Sequence, residues 1–219
     1  SKPVVLTAAM RPATALSADG PANLYQAILA AASPQLKSHG ILVVMNGTVV
    51  PGWQAIKTDS AALESFCAYP SGIIGRISGE RLIISGEYCP SPLSGRFPDH
   101  LNKEIKLPLV RVIFLWGGYE EGILEDWIKK DCRGVVIVGF GAGTLPDTVA
   151  NRIAKMELSE FVIVVSSRVP RVMVMSETMT QIEGCNAVPS GFLNPHKSAL
   201  LLSLALKDGL QNAEIASLF

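Results

Sequence analysis

The chain is predicted to fold as an α/β protein in two domains, on three observations. Short apolar runs of strand length alternate with longer stretches of helical period, the order of βαβ units around a mainly parallel sheet. Between residues 86 and 108 that periodicity gives way to Pro, Ser, Gly and charged residues, the composition of an interdomain linker. The chain has 219 residues, of which 48% are hydrophobic and 17% charged. Such a lean surface goes with large buried sheets or a sizeable contact between subunits.

Residues 4–7 (Val-Val-Leu-Thr) read as a buried strand. Asp19-Gly20-Pro21 supplies a turn and a helix start, after which Leu24, Ile28 and Ala31, flanked by Tyr25 and Ala32, form an apolar stripe that stops at Ser33-Pro34. Residues 41–45 are the next parallel strand, ended by the turn pair Asn46-Gly47. Val49-Val50 and residues 53–56, arranged around Pro51-Gly52, suggest a small hairpin that carries Lys57 at its end. A helix over 60–66 is expected to follow. Residues 75–77 and 81–85, separated by Ser78-Gly79-Glu80, have the pattern of an edge hairpin. Beyond the linker, strands are expected at 109–116, 134–138 and 161–165, with helices at 120–130 and 146–155 between them. Two amphipathic helices, 195–206 and 212–218, split by Asp208-Gly209, close the chain.

Charge and composition exclude several functions. With 19 basic and 19 acidic residues there is no electrostatic footprint for nucleic acid or an anionic membrane, so neither partner is expected. The uncharged stretches 38–56 and 134–146 are interrupted by Gly, Pro and polar residues and are too short in apolar content to span a bilayer. Lys2 before an apolar run faintly imitates a signal peptide, but Pro3 and the strand-like residues behind it argue against one. The compartment, cytoplasmic or periplasmic, stays open. Cys67, Cys89, Cys132 and Cys185 have no metal-site spacing and read as buried packing thiols, with one disulfide as the alternative. His39, His100 and His196 form no metal or acid–base constellation. Gly139-Phe140-Gly141-Ala142-Gly143 follows a strand, but its third glycine falls one place early for a dinucleotide loop. The acidic residues about 20 positions on, Glu157 or Glu160, do not end a second strand. No cofactor is expected.

Three segments carry a more specific signal: KPVVLTAAMRPATALSADGPANLYQA over 2–27, ILVVMN over 41–46 and IKTDSAAL over 56–63. SSRVP at 166–170 and SGFLNP at 190–195 continue it. In order and spacing this text resembles the bacterial-type L-asparaginases of the asparaginase and glutaminase family. The resemblance implies that residues 1–85 are the remainder of an N-terminal domain, a partial doubly wound parallel sheet. It makes 86–108 the linker and 109–219 a smaller C-terminal α/β domain. It also implies hydrolysis of L-asparagine to aspartate and ammonia without a cofactor, leaves L-glutamine open as a second substrate, and implies a homo-oligomer, a dimer of dimers whose sites are built by two subunits. The family's nucleophilic threonine lies in a Thr-Gly-Gly-Thr-Ile segment and its Thr-Asp pair in a His-Gly-Thr-Asp-Thr segment, both expected upstream of these residues.

Carried over residue by residue, the resemblance makes Lys57 the family's catalytic lysine and Ala9 the residue that lies against the substrate amide, with Ala8 standing where the family has glycine. Thr144 takes the place of an asparagine that reaches into a neighbouring subunit's site, keeping a hydroxyl but not the amide's paired donor and acceptor. A glutamate used by some members falls on Met179, two residues from Glu177. The expectation is an asparagine amidohydrolase as a whole-length protein, with this chain alone inactive. The alternative is a shortened or diverged non-catalytic relative that binds an amino acid or forms oligomers.

Overall fold

Strands and helices alternate over residues 4–45 and 110–167, with strands alone following one another from 41 to 84, along the computed structural model, which describes residues 3–86, 90–97, 104–119, 122–128, 132–156, 158 and 161–219. Cys89, His100, Glu157 and Glu160 lie outside the described residues. The chain divides into two compact units, Ser1–Ser94 and Gly95–Phe219, at a point inside the 86–108 segment.

In the first unit, β1 (Val4–Leu6) pairs in parallel with β2 (Ile41–Met45), joined by α1 (Gly20–Ala32). β2 then turns at Asn46-Gly47, both in left-handed backbone, into antiparallel β3 (Thr48–Pro51). That is the conformation of a two-residue hairpin, for which Asn-Gly is the favoured sequence. β6 (Gly75–Ser78) and β7 (Arg81–Ile84) extend the sheet in the order β1-β2-β3-β6-β7, so their hairpin is at the edge, as expected. β4 (Ala55–Lys57) pairs with β5 (Phe66–Ala68) in a separate ribbon, not with Val49-Val50.

Three expectations fail here. Residues 60–66 are not a helix: Asp59 accepts hydrogen bonds from the N–H groups of Ala61 and Ala62, and this local turn leads directly into β5. Asp side chains compete with helix formation in this way. The stripe on α1 points outward, with Leu24 56%, Tyr25 46% and Ile28 58% exposed, whereas Asn23, Ala27 and Ala30 are buried. Small side chains bring the helix backbone close to the sheet, and Ala27 and Ala30 pack with Leu42, Val44 and Val49. β1 is not buried either: Val4 and Leu6 are each 53% exposed, because β1 is the first strand of the sheet and α1 covers the face that carries Val5.

The second unit is a four-stranded parallel sheet in the order β11-β10-β9-β8. It is built from β8 (Val110–Phe114), β9 (Gly134–Gly139), β10 (Val162–Ser167) and β11 (Val188–Pro189). Every residue of β9 and β10 is buried, the near-continuous apolar run that strands covered on both faces require. One face packs with residues around α3 (Asp147–Ala154), including Val149 and Ile153. The other lies under α4 (Pro195–Lys207) and α5 (Asn212–Ala216), where Leu202, Ala205 and Ile215 fill the core. α2 (Ile123–Ile128) joins β8 to β9. The short β11 was not anticipated, since two residues carry no period.

Of the four cysteines, Cys67, Cys132 and Cys185 are described and all are free thiols, but Cys132 alone is buried while Cys67 and Cys185 are half-buried. Among the described residues no helix is long and apolar enough to cross a membrane.

Candidate functional site

Two of the three candidate residues, Ala9 and Thr144, lie on loops at the carboxyl ends of parallel strands, where open α/β sheets bind ligands, and Lys57 lies in the antiparallel β4–β5 ribbon. In the first unit the loop after β1 is held by α1. Asp19, the N-cap residue, accepts the N–H of Met10 at 2.9 Å through Oδ2 and the N–H of Arg11 at 2.9 Å through Oδ1. Asn23, one turn on and only 3% exposed, donates through Nδ2 to Asp19 at 2.8 Å and to the Ala8 carbonyl at 3.0 Å. Its Oδ1 accepts the N–H of Asn46 at 3.0 Å, and Gln26 accepts that of Gly47 at 2.9 Å, which ties the β2–β3 turn to the same helix. The Met10 N–H, with further help from Arg11 and Asn23, holds the Asp19 carboxyl below its ordinary value of 3.8, against an opposing desolvation. The Arg11 guanidinium donates to the Ser17 carbonyl at 2.9 Å, and its backbone N–H is what meets the Asp19 carboxylate.

Ala9, in the middle of this loop, is exposed. Lys57 ends β4 on the separate ribbon, also exposed, with Nζ 5.8 Å from the centroid of the Phe66 ring. That is within the reach of a weak cation–π contact. Two residues on, Asp59 is held below its ordinary value first by the N–H of Ala62 and then by that of Ala61, with Lys57 contributing a smaller Coulombic attraction. An open groove of ≈ 470 Å³ beside α1 is lined by Arg11, Asp19, Asn23, Gln26 and Asn46 among others, and neither Ala9 nor Lys57 lines it. Ala9 and Lys57 are therefore carried by different pieces of local structure.

In the second unit β9 ends at Gly139 and the chain turns tightly, Phe140 and Thr144 exchanging both backbone hydrogen bonds at 2.8 Å. Gly141 and Gly143 take left-handed φ of 48° and 101°. The turn is braced from two sides. Ser167, at the end of β10, donates to the Gly141 carbonyl, and the guanidinium of Arg168 lies 4.3 Å from the centre of the Phe140 ring. From the other side Thr178 donates to the Ala142 carbonyl at 3.1 Å, and the Thr180 hydroxyl accepts the Leu145 N–H at 2.8 Å. Thr144 is exposed. It stands outside α3, which begins at Asp147 after an N-cap Pro146, so Thr144 is a residue of the turn and not of the helix start.

Met179 is buried at 7% exposure in the core beneath this turn, while Glu177 is exposed on the reverse turn that carries Thr178. A side chain at position 179 thus packs inward, and that of Glu177 is exposed. Sequence reasoning missed the bracing residues Asp19, Asn23, Ser167, Thr178 and Thr180. A signal for the first two was present: Asp19 and Asn23 are four apart at the start of a predicted helix, and therefore share one face. Among the described residues no group of three or more His, Cys, Asp and Glu is placed to hold a metal ion.

Residues 1–88 match the family described as "Asparaginase, N-terminal", and residues 109–219 match "Glutaminase/Asparaginase C-terminal domain". Among curated relatives, the chain is 35% identical to "Probable L-asparaginase periplasmic" of Haemophilus influenzae over 94% of its own length and 58% of that protein's. It is 32% identical to "L-asparaginase 2" of Escherichia coli over 100% of its length and 62% of that protein's. The chain therefore spans about three fifths of the length of these relatives. A solved structure, that of "Probable Cytoplasmic L-asparaginase from Campylobacter jejuni", superposes with a TM-score of 0.83 at 28% identity, covering 99% of this chain and 66% of that one.

Proposed function

The chain belongs to the asparaginase family, and from that premise we propose that it supplies the lysine-bearing and C-terminal portion of an L-asparaginase. The reaction is hydrolysis of the side-chain amide. A threonine hydroxyl attacks the amide carbon, its proton passes to the departing nitrogen, which leaves as ammonia, and water releases aspartate from the resulting ester. A hydroxyl is a weak nucleophile and needs a base or a neighbouring cation. In this reading Lys57 is that group, Ala9 lines the pocket at the substrate amide, and Thr144 reaches the site of a neighbouring subunit in a dimer of dimers.

One observation carries the reading: the family-like segments after β1 and β9 both start at the carboxyl edge of parallel strands and are braced there by side-chain hydrogen bonds, one of them from Ser167 at the end of β10. L-Glutamine, one methylene longer, presents the same side-chain amide to this chemistry. No Thr-Gly-Gly-Thr-Ile or His-Gly-Thr-Asp-Thr segment occurs within these residues. The 219 residues on their own are accordingly expected to release no ammonia from L-asparagine above the blank, since removing one member of such a catalytic unit already costs orders of magnitude. Steady turnover by homogeneous protein of this mass would refute that assignment of the nucleophile.

Thr144→Val should weaken substrate binding in the assembled protein by about 1 kcal/mol, the worth of one hydrogen bond, and Thr144→Asn should match or exceed the parent. Titration of both variants with L-asparagine checks this, and unchanged affinity in both removes Thr144 from the site. The second reading, a non-catalytic relative that binds an amino acid, is favoured by the burial of Met179 where some members use a glutamate. It predicts L-asparagine binding without turnover in the protein that carries this chain.

A further inference from the structure

We propose that Asp19 and Asn23 are positioning residues, which clamp the peptide groups on both sides of Ala9 and so aim its own N–H and C=O at the substrate. The proposal rests on the reading of Ala9 as a pocket residue. Its geometry follows from peptide planarity, because in a trans peptide the C=O and N–H of one unit point in opposite directions. The Ala8 carbonyl is bonded to Asn23 Nδ2 on α1 at 3.0 Å, so the N–H of Ala9, in the same peptide unit, points away from the helix. The Met10 N–H is bonded to Asp19 at 2.9 Å, so the C=O of Ala9, in that unit, also points away. Both polar groups of one exposed residue are thereby turned outward together.

Each clamp residue is itself held. Asp19 receives a second backbone N–H, that of Arg11, and the side-chain amide of Asn23. Asn23 is buried with bonds to Asp19, Ala8 and Asn46, so neither its amide nitrogen nor its oxygen can turn without losing a partner. Gly20, between them in sequence, starts α1 close by: a Cβ there would just touch the Ala9 Cβ, at 3.4 Å. A fixed carbonyl at Ala9 suits a carboxamide, whose NH2 donates, and repels a carboxylate, which cannot. The clamp is therefore placed to govern discrimination between the amide substrate and its acid product.

The test uses the gene product that carries this chain, with Asp19→Ala, Asn23→Ala and Asp19→Asn. Loosening the loop should lower kcat/KM for L-asparagine about 100-fold in Asp19→Ala, the usual consequence of a misplacement near 1 Å, with a smaller loss in Asp19→Asn, which keeps one acceptor oxygen. L-Aspartate should at the same time gain inhibitory strength relative to the KM for L-asparagine, a change in selectivity that mere loss of folded protein would not produce. A second readout needs no turnover: in the 219-residue chain the amide protons of Met10 and Arg11 should shift with pH as Asp19 titrates. Because its carboxyl is held below 3.8, the clamp is complete above that pH and is lost as pH falls through the lower folded value. Variants that keep the parent's kcat/KM and selectivity, or Met10 and Arg11 amides that ignore Asp19, overturn the clamp while leaving the functional reading intact. A parent protein that hydrolyses no amide overturns the reading and the proposal together.

Discussion

Lys57→Met, made in a protein that also carries the family's threonine nucleophile, is expected to lower kcat by about 1,000-fold while KM stays within a few-fold. That is the size of effect seen when a positioned proton-transfer or charge-tuning group is removed. Such a group acts on the transition state and contributes little to ground-state binding, so kcat and kcat/KM should fall together. The structure gives a reason to expect that the fold survives. Lys57 is exposed at the end of β4, its aliphatic stem is opposite Phe66, and Met retains most of that stem. What is lost is the cation, together with its weak contact to the Phe66 ring and its attraction for Asp59. Near-parental kcat with an unchanged circular dichroism spectrum would return Lys57 to the solvated surface.

A large loss of stability is expected at Gly143. This residue has φ of 101°, where side chains are strained, and a Cβ built there would lie 2.8 Å from both the Met179 Cβ and the Val174 Cγ1. Both neighbours are buried, so neither can give way into solvent. Strain and overpacking each cost about 1 to 3 kcal/mol, so Gly143→Ala should cost about 3 kcal/mol. Gly141→Ala is the internal control: its φ is also positive, at 48°, but nothing lies within 4 Å of the added carbon. It should cost about 1 kcal/mol, the conformational share alone. Urea midpoints of the two variants measure the difference, and equal losses would show that close packing under the turn decides nothing.

The consequence for the site is direct. Gly143 lets the Phe140–Thr144 turn sit down on Met179 and Val174, and Thr178 and Thr180 then bond to its backbone. Gly143 thus serves the packing of a tight turn against its own core.

The parallel character of the second sheet and the family membership were legible in the residues themselves. Apolar runs of five or six, such as 134–139, can be stable only where both faces are covered, and Asn46-Gly47 between apolar runs leaves little choice but a tight turn. Local chemistry of that kind is complete within a few residues. Periodicity, by contrast, shows that a helix has an apolar face but not which face the sheet will accept. On α1 the larger residues Leu24, Tyr25 and Ile28 were expected inside, yet the sheet takes Ala27 and Ala30 because small side chains permit close approach. The helix expected at 60–66 was lost to one carboxylate, Asp59, whose bonds to Ala61 and Ala62 fold the segment as a turn. Lys57, Ala9 and Thr144 could be named from their neighbours in sequence, but what holds the loops of Ala9 and Thr144 could not. Asn23 joins Ala8, Asp19 and Asn46, and Thr178 reaches back 36 residues to Ala142. Bonds of that range exist only once the chain has folded, so tertiary structure alone decides which backbone groups are gripped and which are left facing outward.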